Sequence, residues 1–155
     1  MAEQRHRFHA SIEWTGATSG HSFSRTHVIR IEGKPDIHAS AAIAFRGDAA
    51  RHDPEGLLIA SLSSCHMLSY LFLCARAKIT VTRYVDEAEG TLMLEGVAGR
   101  FERVVLHPRV TVAPGSDAEK AKELHHEAHR ICFVANSVNF PVEYEPVIET
   151  GSAAS

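Results

Sequence analysis

Asp53-Pro54-Glu55-Gly56-Leu57-Leu58-Ile59-Ala60-Ser61-Leu62-Ser63-Ser64-Cys65-His66-Met67 decides how the chain is read. Asp53 is a helix cap, Pro54 fits the first helical position, where its missing N–H costs nothing, and Glu55 complements the positive end of the helix dipole. The apolar pattern continues, so a helix is predicted from here to about Lys78. Around Leu68 to Leu73 its apolar residues cover nearly the whole circumference, as expected of a helix buried in a core or a subunit interface.

Working outward, Phe8 to Trp14 alternates apolar and polar residues and reads as a strand. Thr26 to Glu32 reads as a second strand, closed by Gly33-Lys34-Pro35, and Ile37 to Phe45 as a third. Beyond the helix, Thr80 to Ala88 and Gly90 to Glu95 read as strands, and Phe101 to Pro114 as one or two more. A second helix is expected from Asp117 to Val134, capped by Ser116 or Asp117, with Glu119 three positions after Ser116 and Asn136 as its stop. Val138 to Val147 is a closing strand containing Pro141. The residues after it, 150–155, read as a disordered tail. With no repeat or linker, residues 1–155 read as a single α+β domain whose clustered strands form antiparallel sheets.

The chain has 155 residues, 45% of them apolar, enough for one compact core. A net charge of -3 leaves no electrostatic footprint for nucleic acid or an anionic membrane. The N-terminal Met1 to Arg7 is polar and lacks an apolar h-region, so no signal peptide is expected. Leu57 to Ala77 is interrupted by Ser61, Ser63, Ser64, His66, Ser69 and Arg76, so no membrane span is expected and the protein is read as cytoplasmic. In that compartment its 3 cysteines are reduced, redox-active or buried rather than a disulfide framework.

Chemistry is concentrated at the cysteines. Cys65 stands among Ser61, Ser63, Ser64 and His66. A buried core cysteine is the plain alternative, but such a helix would not need the polar cluster. His66 is adjacent in sequence yet about 100° away around a helix, so it need not touch the thiol. Glu55 lies about 15 Å back along a continuous helix and cannot reach Cys65 as a helix neighbour. Cys132 follows His125 and His129 on one helical face, a spacing open to a metal site or to tuning of the thiol. His126-Glu127-Ala128-His129 misses the zincin pattern by one residue. Cys74 sits in the most apolar part of the first helix and reads as a small buried hydrophobe. A thiolate held as a nucleophile also needs a cation nearby. Arg25 and Arg46 are the candidates, each open to the reading of an ordinary surface arginine.

Together these features resemble the OsmC/Ohr family of thiol-dependent peroxidases. Pro54-Glu55 opens the long helix, Cys65 comes ten residues after that glutamate, and Cys132 follows some sixty to seventy residues later. Ser63-Ser64-Cys65-His66-Met67, Phe45-Arg46-Gly47-Asp48 and Asn139-Phe140-Pro141-Val142 resemble an OsmC-like subgroup, and the likeness runs roughly from Trp14 to Pro146. The resemblance implies an OsmC-like fold, with antiparallel sheets around two central helices in an intertwined homodimer. It implies that Cys65 is the peroxidatic thiolate, that Cys132 is the resolving thiol, and that Glu55 pairs with an activating arginine, Arg25 or Arg46. It further implies a hydroperoxide substrate, recycling by a dithiol reductant such as a lipoyl protein, and no haem, flavin or metal, and the apolar helix faces near Leu62, Met67 and Phe133 favour an organic hydroperoxide over hydrogen peroxide. Two other readings are a non-catalytic dimer of the same fold that binds an apolar ligand or metal, and a cysteine hydrolase. The hydrolase reading lacks an oxyanion-hole motif.

Overall fold

The computed structural model describes residues 1–152, so of the expected tail, 153–155 lie outside the described residues. The chain divides into two compact units, Met1–Leu58 and Ile59 onward.

The first unit holds a three-stranded antiparallel sheet of β1 (Ser11–Glu13), β2 (His27–Arg30) and β3 (Ile37–Ala39) in that order. Ile12 faces Ile29, which faces Ile37. β1 is shorter than expected, and Phe8 is fully exposed outside it. β3 ends at Ala39, short of the expected Phe45. Ser40 leaves the sheet by donating its N–H to the His52 carbonyl at 2.7 Å. The chain then curls through a 3-10 turn, Ile43–Phe45, and Arg46 takes a left-handed φ of 65°. Gly47 explains the turn: a Cβ there would lie 1.5 Å from the Ala41 carbonyl oxygen.

The first long helix, α1 (Pro54–Arg76), begins in the last residues of this unit and continues into the second. Its start is as read from the sequence: the Asp53 carboxylate accepts the Gly56 N–H at 2.8 Å. By length and composition alone α1 is apolar enough to cross a membrane, where the sequence reading had seen no such run. Its buried residues argue for a protein core instead, because Leu62, His66, Tyr70 and Cys74, spaced by four, form one stripe.

The second unit carries two three-stranded sheets. One has the order β4 (Val81–Asp86), β7 (Pro108–Val112), β9 (Val147–Thr150). The other has β5 (Glu89–Glu95), β6 (Ala98–Leu106), β8 (Val142–Tyr144). The β4–β7 and β5–β6 pairs are antiparallel. The expected single closing strand is two, each parallel to its neighbour, β8 to β6 and β9 to β7. Pro146, which has no N–H to give a ladder, marks the switch from one sheet to the other. Thr150 pairs with Val112 and the Gly151 N–H reaches the Val112 carbonyl, so these two residues of the expected tail belong to the sheet.

The second helix, α2 (Ala118–Ile131), is capped by Asp117, whose carboxylate accepts the Lys120 N–H. It stops at Ile131, shorter than expected, and Cys132 is its C-cap in extended conformation, φ −67° and ψ 114°. Asn136 still ends the helix, but from beyond it: its side-chain amide donates to the Arg130 carbonyl at 3.0 Å. Tyr70, Cys74, Val110, Val112, Ala121, Leu124 and Ala128 form the core on which α1, α2 and β7 converge. The architecture is α+β, with largely antiparallel sheets and two helices.

Candidate active site

Cys65 stands beside the buried stripe of α1 and is half-buried, whereas Cys132 is fully buried. The two thiols are close enough to influence one another's ionisation. Burial pushes the Cys132 thiol up to about 11. The Ala135 N–H pulls against that shift and the Cys65 thiol adds to it. Cys132 is held to the end of α2 by its own N–H to the His129 carbonyl, and the next turn is closed by Asn136 N–H on the Cys132 carbonyl at 3.0 Å. Beside Cys65 a cavity of about 390 Å³ opens, walled by Leu68, Ser69, Phe72, Ile131 and Phe133. Leu68, Phe72 and Phe133 are 60%, 54% and 82% exposed. The arrangement offers a part-exposed thiol, an apolar wall, and a second thiol nearby.

A family model described as OsmC-like protein matches residues 47–146, a stretch that contains both cysteines. The chain belongs to the OsmC-like protein family.

Among solved structures it is similar to an OsmC-like protein of unknown function from Vibrio cholerae, at 32% identity and a TM-score of 0.84, covering 92% of this chain and 100% of that one. It is also similar to an organic hydroperoxide resistance protein from Elizabethkingia anophelis, at 20% identity and a TM-score of 0.70, over 97% of this chain and 100% of that one; that likeness is one of fold. A curated relative, an uncharacterized protein from Acinetobacter baylyi, is 26% identical over 145 residues, 90% of this chain and 93% of the relative.

In this OsmC-like chain the other sequence candidates lie in the first unit. Arg25 donates to the Phe23 carbonyl at 2.9 Å and stacks its guanidinium 4.4 Å above the Phe23 ring. It lines an apolar groove of about 380 Å³ with Trp14, Phe23, His27 and Pro54, the residue before Glu55. Arg46 is exposed on its left-handed turn. Glu55 is half-buried, and its Oε2 is buried without a hydrogen-bond partner among the described residues. No ion pair joins Glu55 to Arg25 or Arg46 within 4 Å among the described residues.

Two of the histidines form a buried pair. His66 Nε2 and His125 Nδ1 are hydrogen-bonded at 3.0 Å, and both rings are buried. No group of three metal-ligating side chains converges among the described residues. His125 stacks on Tyr70 with 3.8 Å between centroids, and Tyr144 covers both His66 and His129. Two residues before Cys65, Ser63 donates to Asp86 at 2.5 Å, and Asp86 also accepts the His107 N–H at 2.6 Å. Cys74 is buried and its thiol is raised by desolvation, the state expected of a core cysteine. The histidine pair and Asp86 were missed in the sequence. The spacing of His66 and Tyr70 by four was a visible signal for a shared buried face.

Proposed function

We propose that the protein is a thiol-dependent hydroperoxide reductase. The observation that carries this reading is the half-buried Cys65 thiol beside an apolar cavity and close enough to Cys132 to perturb its thiol. Membership of the OsmC-like family supports it, as does the shared fold with a protein named for organic hydroperoxide resistance.

The chemistry balances without a cofactor. The Cys65 thiolate attacks the distal oxygen of ROOH, the O–O bond breaks, and the alkoxide leaves with a proton as ROH. Cys65 is then a sulfenic acid. The Cys132 sulfur attacks it, forming the S–S bond and releasing the hydroxyl as water. A dithiol reductant, a lipoyl protein in this reading, opens the disulfide by exchange and restores both thiols. The apolar wall of Leu68, Phe72 and Phe133 suits an organic hydroperoxide over hydrogen peroxide. The activating cation is Arg25 or Arg46, oriented by Glu55. The shared groove with Pro54 favours Arg25. The working form in this reading is a cytoplasmic homodimer, consistent with the exposed apolar residues around Cys65.

The test is consumption of cumene hydroperoxide by the purified protein with dihydrolipoamide, beside Cys65→Ser and Cys132→Ser. Turnover is expected to vanish in Cys65→Ser, and a trappable sulfenate to accumulate in Cys132→Ser. Full turnover in Cys65→Ser would end the proposal. The second reading, a non-catalytic binder, draws on the aromatic groove of Trp14 and Phe23. It predicts no thiol-dependent consumption and a co-purifying apolar ligand.

A further inference from the structure

The buried histidine pair belongs to neither thiol, yet each member is tied to one. His66 follows Cys65 directly on α1, and His125 lies on the helix whose C-cap is Cys132. Cys132 has no freedom along α2, because its N–H and its carbonyl are bonded to His129 and Asn136. Where Cys132 sits relative to Cys65 is therefore set by where α2 sits relative to α1. Among the described residues, the hydrogen bonds between the two helices come from the buried stripe: the His66–His125 bond at 3.0 Å, and the Tyr70 hydroxyl on the Ala121 carbonyl at 2.9 Å. Both ties step by four residues, up α1 and down α2, so they fix one antiparallel setting. Sliding either helix by one residue, about 1.5 Å, with the rotation of about 100° that accompanies it, would break both. Disulfide chemistry is equally demanding, since the two Cα atoms must come within about 4.4 to 6.8 Å.

We propose that His66 and His125 are positioning residues for the Cys65–Cys132 pair, their ring-to-ring hydrogen bond holding the two helices where the thiols meet. This rests on the two-cysteine reading above and adds to it residues that touch neither substrate nor thiol.

The surroundings fit the role. One N–H···N bond needs one donor and one acceptor, so at least one ring must be neutral. Burial keeps both neutral: His66 is lowered to about 4 and His125 to about 3, each chiefly by desolvation. The titratable groups facing the pair are Tyr70 on α1, His129 on α2, Tyr84 and Asp86 on β4, and Tyr144 on β8. Asp86 is the one carboxylate that favours the charged form of His66, and it is already occupied by Ser63 and the His107 N–H. A cluster built only to fill space would not need two imidazoles in this register, because apolar rings would stack equally well without desolvating polar atoms.

The experiment reads the disulfide without any peroxide, by equilibrating the protein with glutathione and its disulfide. Two electrons and two protons pass from Cys65 and Cys132 to glutathione disulfide, giving two glutathione thiols and the protein S–S bond. His66→Phe and His125→Phe keep the stack and lose the bond. Each is expected to lower the effective concentration of the pair about tenfold, with the helical circular dichroism unchanged. His125→Gln, which can still hydrogen-bond His66, is expected to stay within about threefold of wild type. If a Phe variant does not fold, Tyr70→Phe removes the second tie and should lower the value about threefold. Phe variants that match wild type, or a Gln variant that falls as far as Phe, would overturn the positioning role while leaving the two-cysteine chemistry standing. A wild type that forms no Cys65–Cys132 disulfide at any glutathione ratio would overturn both.

Discussion

Cys65 lies beside Cys132, and this neighbour adds to the burial that raises the Cys132 thiol to about 11. An ordinary thiol near 9 has about a tenth of its molecules as thiolate at pH 8, and one near 11 about a thousandth. Cys132 in the reduced protein should therefore react with iodoacetamide about a hundredfold more slowly than in the unfolded chain at pH 8. Peptide mass spectrometry after timed quenching measures this. Equal rates in folded and unfolded protein would show that Cys132 is not desolvated.

Acid should weaken the fold through the histidine pair. His66 and His125 have folded values, about 4 and about 3, below the ordinary histidine value of 6.5. Below pH 6.5 the unfolded chain takes up protons that the folded chain refuses, so stability is full above about 6.5 and falls as pH drops toward 4. The limiting slope is about 1.4 kcal/mol per pH unit for each histidine. Urea unfolding at pH 7, 6 and 5 reads it out. The double variant His66→Phe with His125→Phe should show a shallower dependence over that range, and a slope equal to wild type would assign the acid sensitivity elsewhere.

How much was legible follows from which signals are local. The start of α1 was readable because Asp53, Pro54 and Glu55 act within one turn, and the Asp53 carboxylate does cap Gly56. The stops were less so. β3 ends at Ala39 because Gly47 lets the chain fold back onto Ala41, a tertiary approach that Phe45-Arg46-Gly47-Asp48 does not reveal as a sequence. The two parallel strands at the end were read as one, because the alternation of Val142, Tyr144 and Ile148 runs through Pro146 without showing which sheet each half joins. The approach of Cys65 to Cys132 and of His66 to His125 links residues far apart in the chain. Periodicity could place each on a helix face but could not pair the faces.

Gly47→Ala should be costly in the first unit. The new methyl would stand 1.5 Å from the Ala41 carbonyl oxygen, and the obstacle is backbone rather than a movable side chain. The turn that carries Arg46 must open, with loss of about 3 kcal/mol or more. A lower thermal midpoint by circular dichroism, with earlier proteolysis between Ala39 and His52, is the expected result. A midpoint within a degree of wild type would mean the turn does not need glycine.

Tyr70→Phe isolates one hydrogen bond. The Tyr70 hydroxyl is raised by burial far above its ordinary value, so it remains a donor at every practical pH, and its acceptor is the Ala121 carbonyl at 2.9 Å. Removing the hydroxyl keeps the ring, and with it the 3.8 Å stack on His125. What is lost is the bond, and a buried carbonyl is left short of a donor, at a cost of about 1–3 kcal/mol. For a chain of this size that corresponds to a thermal midpoint lower by roughly 2–12 °C. The acid dependence of stability should be preserved, because the two imidazoles are untouched. If Tyr70→Phe instead flattened the pH profile, the hydroxyl, rather than the histidine pair, would be the group coupling the core to protons.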